Sequence, residues 1–230
     1  MAIIFAGLDS GQIATPGSLF VTNQFLPTAN RKVLAFVGNN KATTPGTCSV
    51  PTIGGGITNW AQVGTVSTTL SRLTAFIGNT ASPVLQEMDM NFGADVEIGV
   101  TWAVLEIGGV LGVAVGSPVT GTGTGTSAST TITPTGPDNA IVSAIYRVST
   151  TGLTVESGWT EHVQITQTGT RRFSDIYRPN TQDVTPSWTW SGSQEFVVLT
   201  TELNMAALTG AEASALSAAV RRRRRRHNRF

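Results

Sequence analysis

The chain has 230 residues, a mass of 24.1 kDa and a formal charge of +1, which suits one large domain or at most two small ones. Its single cysteine, Cys48, excludes an intrachain disulfide framework, and no apolar run approaches the roughly 18 residues of a membrane helix. Charged residues make up 13% of the chain against about 25% in typical soluble proteins, so Thr, Ser and Gly are expected to form a surface of hydroxyls and backbone that packs on neighbours.

The N-terminus, Met1-Ala-Ile-Ile-Phe-Ala-Gly, lacks the basic n-region and long apolar h-region of a signal peptide. The expectation is a chain made in a cytoplasm, free of membrane contact, and exported only as part of a particle. From there, short β-branched and aromatic runs recur between Gly, Pro, Asn and Thr clusters. Strands are predicted at Ser18–Thr22, Lys32–Val37 and Leu73–Ile77. In Val84–Phe92 the alternation puts Met88, Met90 and Phe92 on one face, with Glu87, Asp89 and Asn91 on the other. Val100–Ile107 is a near-continuous apolar run that suits a central strand covered on both sides. Gly121–Thr131 is low-complexity and reads as a flexible connection between two halves of one sandwich. Further strands are predicted at Ala140–Val148, Val155–Thr166, Ser187–Trp190 and Glu195–Thr201.

Nine strands without an intervening helical pattern imply an all-β fold, an antiparallel β-sandwich of jelly-roll or other Greek-key type. The body is expected to span residues 1–202, followed by a short helix over 203–220. Thr209 and Glu212 have the spacing of a capping box, and Ala213, Leu216 and Val220 then form a narrow apolar stripe. About three turns of helix cannot fold alone, so the segment must dock on something.

Residues 221–230 form a basic tail. Arg221, Arg222, Arg223, Arg224, Arg225, Arg226 and Arg229 are seven of the fifteen basic residues. Residues 1–220 therefore hold eight Lys and Arg against fourteen Asp and Glu, a balance of −6. An acidic body with a basic end suggests an interaction tail. Two targets suit it. One is nucleic acid, where seven phosphate contacts would give a salt slope of about −6. The other is an acidic protein surface, including the body of a neighbouring copy. The plain alternative is a solvated run that serves solubility.

Other candidate chemistry is sparse. Trp188 and Trp190 share a strand face, with Trp60 and Trp159 as further indoles; exposed, they could stack on sugar rings, and buried, they are core. Glu87, Asp89 and Asn91 could offer oxygens to calcium, but nothing nearby completes its six to eight ligands, so no metal and no cofactor is expected. Asp89 and Asp95 are two acids that no motif selects as a catalytic pair. His162 falls on a polar strand face, and His227 lies within the tail. Neither G-x-S-x-G nor H-E-x-x-H nor a phosphate loop occurs. The residues thus point to a non-enzymatic structural or binding protein, with no catalytic residue assigned.

Thr28-Ala-Asn-Arg-Lys-Val-Leu-Ala-Phe-Val37, the turn Gly55-Gly-Ile-Thr-Asn-Trp60, Arg72-Leu-Thr-Ala-Phe-Ile77 and Thr101-Trp-Ala-Val-Leu-Glu-Ile-Gly-Gly-Val110 together resemble a strand pattern of β-sandwich accessory proteins in tailed bacteriophage virions. The resemblance covers about residues 28–150 and carries no catalytic residues. It implies a structural protein of a phage head or tail, self-assembling in several copies. Its partners would be other virion proteins, and packaged DNA if the arginine tail reaches it. A glycan-binding module for host-surface recognition, with Trp188 and Trp190 as its platform, is the alternative.

Overall fold

A computed structural model describes residues 3–41, 48–57, 59–80, 84–108, 113–136, 139–149, 151–167, 170–179 and 182–205. The described residues form strands and connections only. In chain order the strands are β1 (Ile4–Ile13), β2 (Leu19–Val21), β3 (Arg31–Asn40), β4 (Thr52–Gly55), β5 (Ala61–Ser67), β6 (Ser71–Thr80), β7 (Met88–Asn91) and β8 (Gly99–Gly108). Then come β9 (Val113–Val115), β10 (Val119–Ser129), β11 (Ala140–Val148), β12 (Thr154–Val155), β13 (Thr160–Gln167), β14 (Arg171–Arg178) and β15 (Ser187–Met205).

Three antiparallel sheets result, and the fold is the expected all-β sandwich. A central sheet has the order β1-β8-β3-β6-β5, a smaller outer sheet β2-β7-β4, and a C-terminal sheet β10-β15-β11-β14-β13, with β9 and β12 also paired to β15. The first eight strands are wound as a jelly roll: β1 pairs β8, β2 pairs β7 and β3 pairs β6. Only β5 departs from that order. It forms a hairpin with β6 at the edge of the central sheet instead of lengthening the outer sheet beside β4, which leaves that sheet three strands wide.

The central sheet is buried on both faces, and the sequence shows why. In β3, Val33, Ala35 and Val37 point to the outer sheet, while Leu34 and Phe36 point to the C-terminal sheet. In β8, Val100, Trp102 and Val104 meet Met88, Met90 and Phe92 of the outer layer, and Ala103, Leu105 and Ile107 meet Val142, Tyr146 and Phe173. A strand that is apolar at every position needs cover on both sides. Each large side chain so buried contributes about 1.5–3 kcal/mol relative to exposure.

Gly121–Thr131 is the main correction to the sequence reading. Most of it is strand β10, paired along β15 from Val119–Thr200 to Gly125–Gln194. Thr and Gly alternate with the period of a strand, and the glycines face bulky neighbours across the ladder. A Cβ on Gly123 would lie 3.1 Å from the Phe196 ring, and one on Gly121 3.0 Å from Val198. The glycines are therefore sockets for larger side chains, not hinges. After Gly125 the β10/β15 ribbon turns back over the C-terminal sheet: Thr130 sits 2.5 Å from Thr200 Oγ1, and its methyl is 3.4 Å from the same virtual Cβ on Gly121. Gly192, at φ 78°, takes the matching corner in β15. Gly123→Val is expected to lose about 1–3 kcal/mol by overpacking. Thr124→Val on the exposed face should stay within about 0.5 kcal/mol; urea denaturation measures both.

Other boundaries shift as well. The predicted Val155–Thr166 strand divides into β12 and β13 around a turn with Gly158 at φ 89°. Ser187–Trp190 and Glu195–Thr201 join into one strand that runs to Met205, three residues past the expected end of the body. Thr209–Val220 and the arginine tail lie outside the described residues.

Candidate functional site

The tryptophans do not form a platform. Trp188 is 0% exposed and donates its indole N–H to Ser174 Oγ at 3.2 Å. Trp190 is 7% exposed, edge-on to Phe196, with the Arg147 guanidinium 5.0 Å from its ring centre. Both project inward from β15 into the core of the C-terminal sheet, so neither offers a ring face to a sugar. Trp159 belongs to the same core and bonds Asp183 at 2.8 Å, whereas Trp60 packs in the jelly-roll core.

One end of the jelly roll holds a buried ionic cluster. Glu97 is fully buried; it accepts the Ser49 N–H at 3.1 Å and lies 3.8 Å from Lys41 Nζ, which is 3.4 Å from Asp95. Burial pushes the Glu97 carboxyl above its ordinary range, while hydrogen bonds from Ser49 and Lys41 hold that of exposed Asp95 below it. Cys48 is buried beside them, and burial pushes its thiol up to about 11. A thiol so protonated at neutral pH is a packing residue, not a nucleophile. Arg72 closes the cluster with a 2.6 Å bond to the Cys48 carbonyl. Asp95 is thus engaged with Lys41 and Ser49, while Asp89 stands on the outward side of β7, and no contact joins the two acids.

His162 occupies a different place from the one its strand pattern indicates. A β-bulge between Glu161 and Val163 turns its ring inward, and Nδ1 lies 3.0 Å from Oδ2 of fully buried Asp175. Its Nε2 side rests on Gly7 of β1, where there is no room for a Cβ. Burial raises the Asp175 carboxyl above its usual range, and the His162 contact works against that rise. The pair pins an edge of the C-terminal sheet to an edge of the central one. Alternation alone could not reveal a bulge.

Glu87, Asp89 and Asn91 do face outward, as expected, but they do not gather round a cation. Glu87 takes the Gln24 amide at 3.2 Å, and Asn91 caps the Gly93 N–H at 2.8 Å. Among the described residues no group of three or more His, Cys, Asp or Glu could hold a metal ion.

The surface that stands out is the outer sheet itself. Leu19 and Val21 project from β2 at 58% and 36% exposure. Leu26 and Leu85 flank the Phe25–Gln86 bridge, and Val84, Val50 and Val96 lie on the connections around β4 and β7. Of the large apolar side chains exposed among the described residues, only Ile4 lies elsewhere. Asp89 and Glu87 run along the neighbouring strand, with Asp89 beside Val21 in register, and neither has an ion-pair partner among the described residues. The face is apolar along β2 and acidic along β7. Comparison of the chain with protein-family models, curated proteins and solved structures finds no match.

Proposed function

We propose that the chain is a non-enzymatic structural protein of a tailed-phage or phage-like particle, present in several copies and anchored to other virion proteins or packaged DNA by its C-terminal segment. The observation that carries this reading is the concentration of exposed apolar side chains on one sheet of a body with few charges. Scattered apolar residues are ordinary, but a cluster on one face marks an interaction surface. The ionisable groups of the interior support the same reading: Glu97 is held by Lys41 and the Ser49 N–H, and Asp175 is held by His162. Jelly rolls serve both capsids and lectins, so the fold alone does not choose between assembly and sugar binding. The burial of Trp188 and Trp190 weighs against the second.

Quantitative mass spectrometry of purified particles tests the reading. The expected result is this chain at a fixed copy number per particle, a multiple of a ring symmetry. Its absence from particles, with the free chain in the lysate, would overturn the proposal.

A further inference from the structure

We propose that the outer face of the β2-β7-β4 sheet is the docking surface for residues 206–230 of a second copy of this chain. The inference rests on the assembly reading and names the contact through which assembly would run.

Two properties of the face match two properties of that segment. The face carries an apolar column, Leu19 and Val21 with Leu26 beyond, next to a column of Leu85, Glu87 and Asp89 that is acidic along β7. The segment's sequence carries a narrow apolar stripe, Ala213, Leu216 and Val220, and then six consecutive arginines. Apolar cover answers the first column and guanidinium groups answer the second, where uncompensated carboxylates invite Arg pairing. On the scale of the chain, a body of −6 faces a tail of +7. Nucleic acid would satisfy the arginines but leave the apolar stripe and the apolar column uncovered.

Reach decides between a chain's own face and a neighbour's. β15 ends at Met205 in the C-terminal sheet, and the helix cap is expected at Thr209. The four Cα steps from Met205 to Thr209 span about 14 Å when extended. The outer sheet lies two layers away across the central sheet, or about 20 Å at ~10 Å per layer. A helix starting at Thr209 cannot lie flat on its own outer sheet. On a second copy it can. Such a contact joins two different surfaces, so repetition closes into a ring or grows into a filament.

Sedimentation of the full-length chain at low and high salt tests this with exposed-site charge swaps. One variant carries Glu87→Arg and Asp89→Arg; another carries Arg221→Glu, Arg223→Glu and Arg225→Glu. The expected result is concentration-dependent association of the native chain, weakened about tenfold or more by either swap and by salt. Combining the swaps should restore it. Association that neither swap weakens would overturn the surface assignment and leave the assembly reading standing. A chain that stays monomeric throughout would overturn the assignment too, with the assembly reading then judged by particle content. Tail-dependent binding to duplex DNA, with self-association indifferent to Glu87 and Asp89, would also overturn it.

Discussion

Trp188→Ala is expected to lower stability by about 3–5 kcal/mol, the range for removing a buried aromatic side chain. The indole is fully enclosed by Ile141, Ile145 and Ile176 beneath and by the folded-back ribbon above, and it donates to Ser174. Truncation would leave a void and remove the bond that Ser174 Oγ accepts, while its own bond to Glu161 at 2.7 Å stays. In urea the midpoint should fall by roughly 1–5 M, given a slope of about 1–3 kcal/mol per molar. A tryptophan on an exposed sugar platform would change stability by less than about 0.5 kcal/mol. The same experiment therefore distinguishes a core residue from a recognition residue. Trp188→Phe, which keeps most of the volume, should fall between the two.

Lys41→Met should cost about 3 kcal/mol at neutral pH, because it removes the ammonium that faces a fully buried carboxylate. The cost should depend on pH. Burial already raises Glu97 above its ordinary range, so protonation favours the folded state. The stability Glu97 contributes is complete below its unfolded pKa and is lost as pH rises through its folded one. Without Lys41 the folded value rises further, and the loss at neutral pH grows. The variant should therefore approach the native protein as the solution is acidified. Lys41→Met combined with Glu97→Gln should recover most of the difference at pH 7. Denaturation curves over a pH series measure all of this, and a cost independent of pH would show that Lys41 acts through packing alone.

Where one face was apolar and the other polar, as in Met88–Asn91, the strand and its orientation were legible in the residues. Where both faces were apolar, as in Val100–Ile107, so was burial on both sides. Ala140–Val148 matches the observed strand end to end. The failures have physical causes. Gly121–Thr131 has the composition of a linker, and only the partners Phe196 and Val198, more than sixty residues away in sequence, make it a strand. Ile4–Ile13 is interrupted by Gly, Asp and Ser, and its pairing with β8 includes a bulge. The outer sheet's importance was half visible: the acidic face of β7 could be read, whereas the apolar column beside it depends on β2 being placed next to β7 by the jelly-roll winding.

β15 has a consequence for synthesis. It is the last described strand, and it pairs with β9, β10, β11 and β12. The central and outer sheets draw only on residues up to Gly108 and can close while the rest of the chain is still emerging from the ribosome. β10 has no such option. Its hydrogen-bonding edge stays open until everything through β15 has been translated. An uncharged Thr-Gly strand is a sticky thing to leave waiting, and the sockets at Gly121 and Gly123 are empty until Val198 and Phe196 arrive. Premature chain termination before Ser187 should therefore yield an aggregating chain, not a shorter soluble protein, because β10 lacks its partner and the Leu34, Phe36 and Leu105 face lacks the cover of Val197 and Leu199.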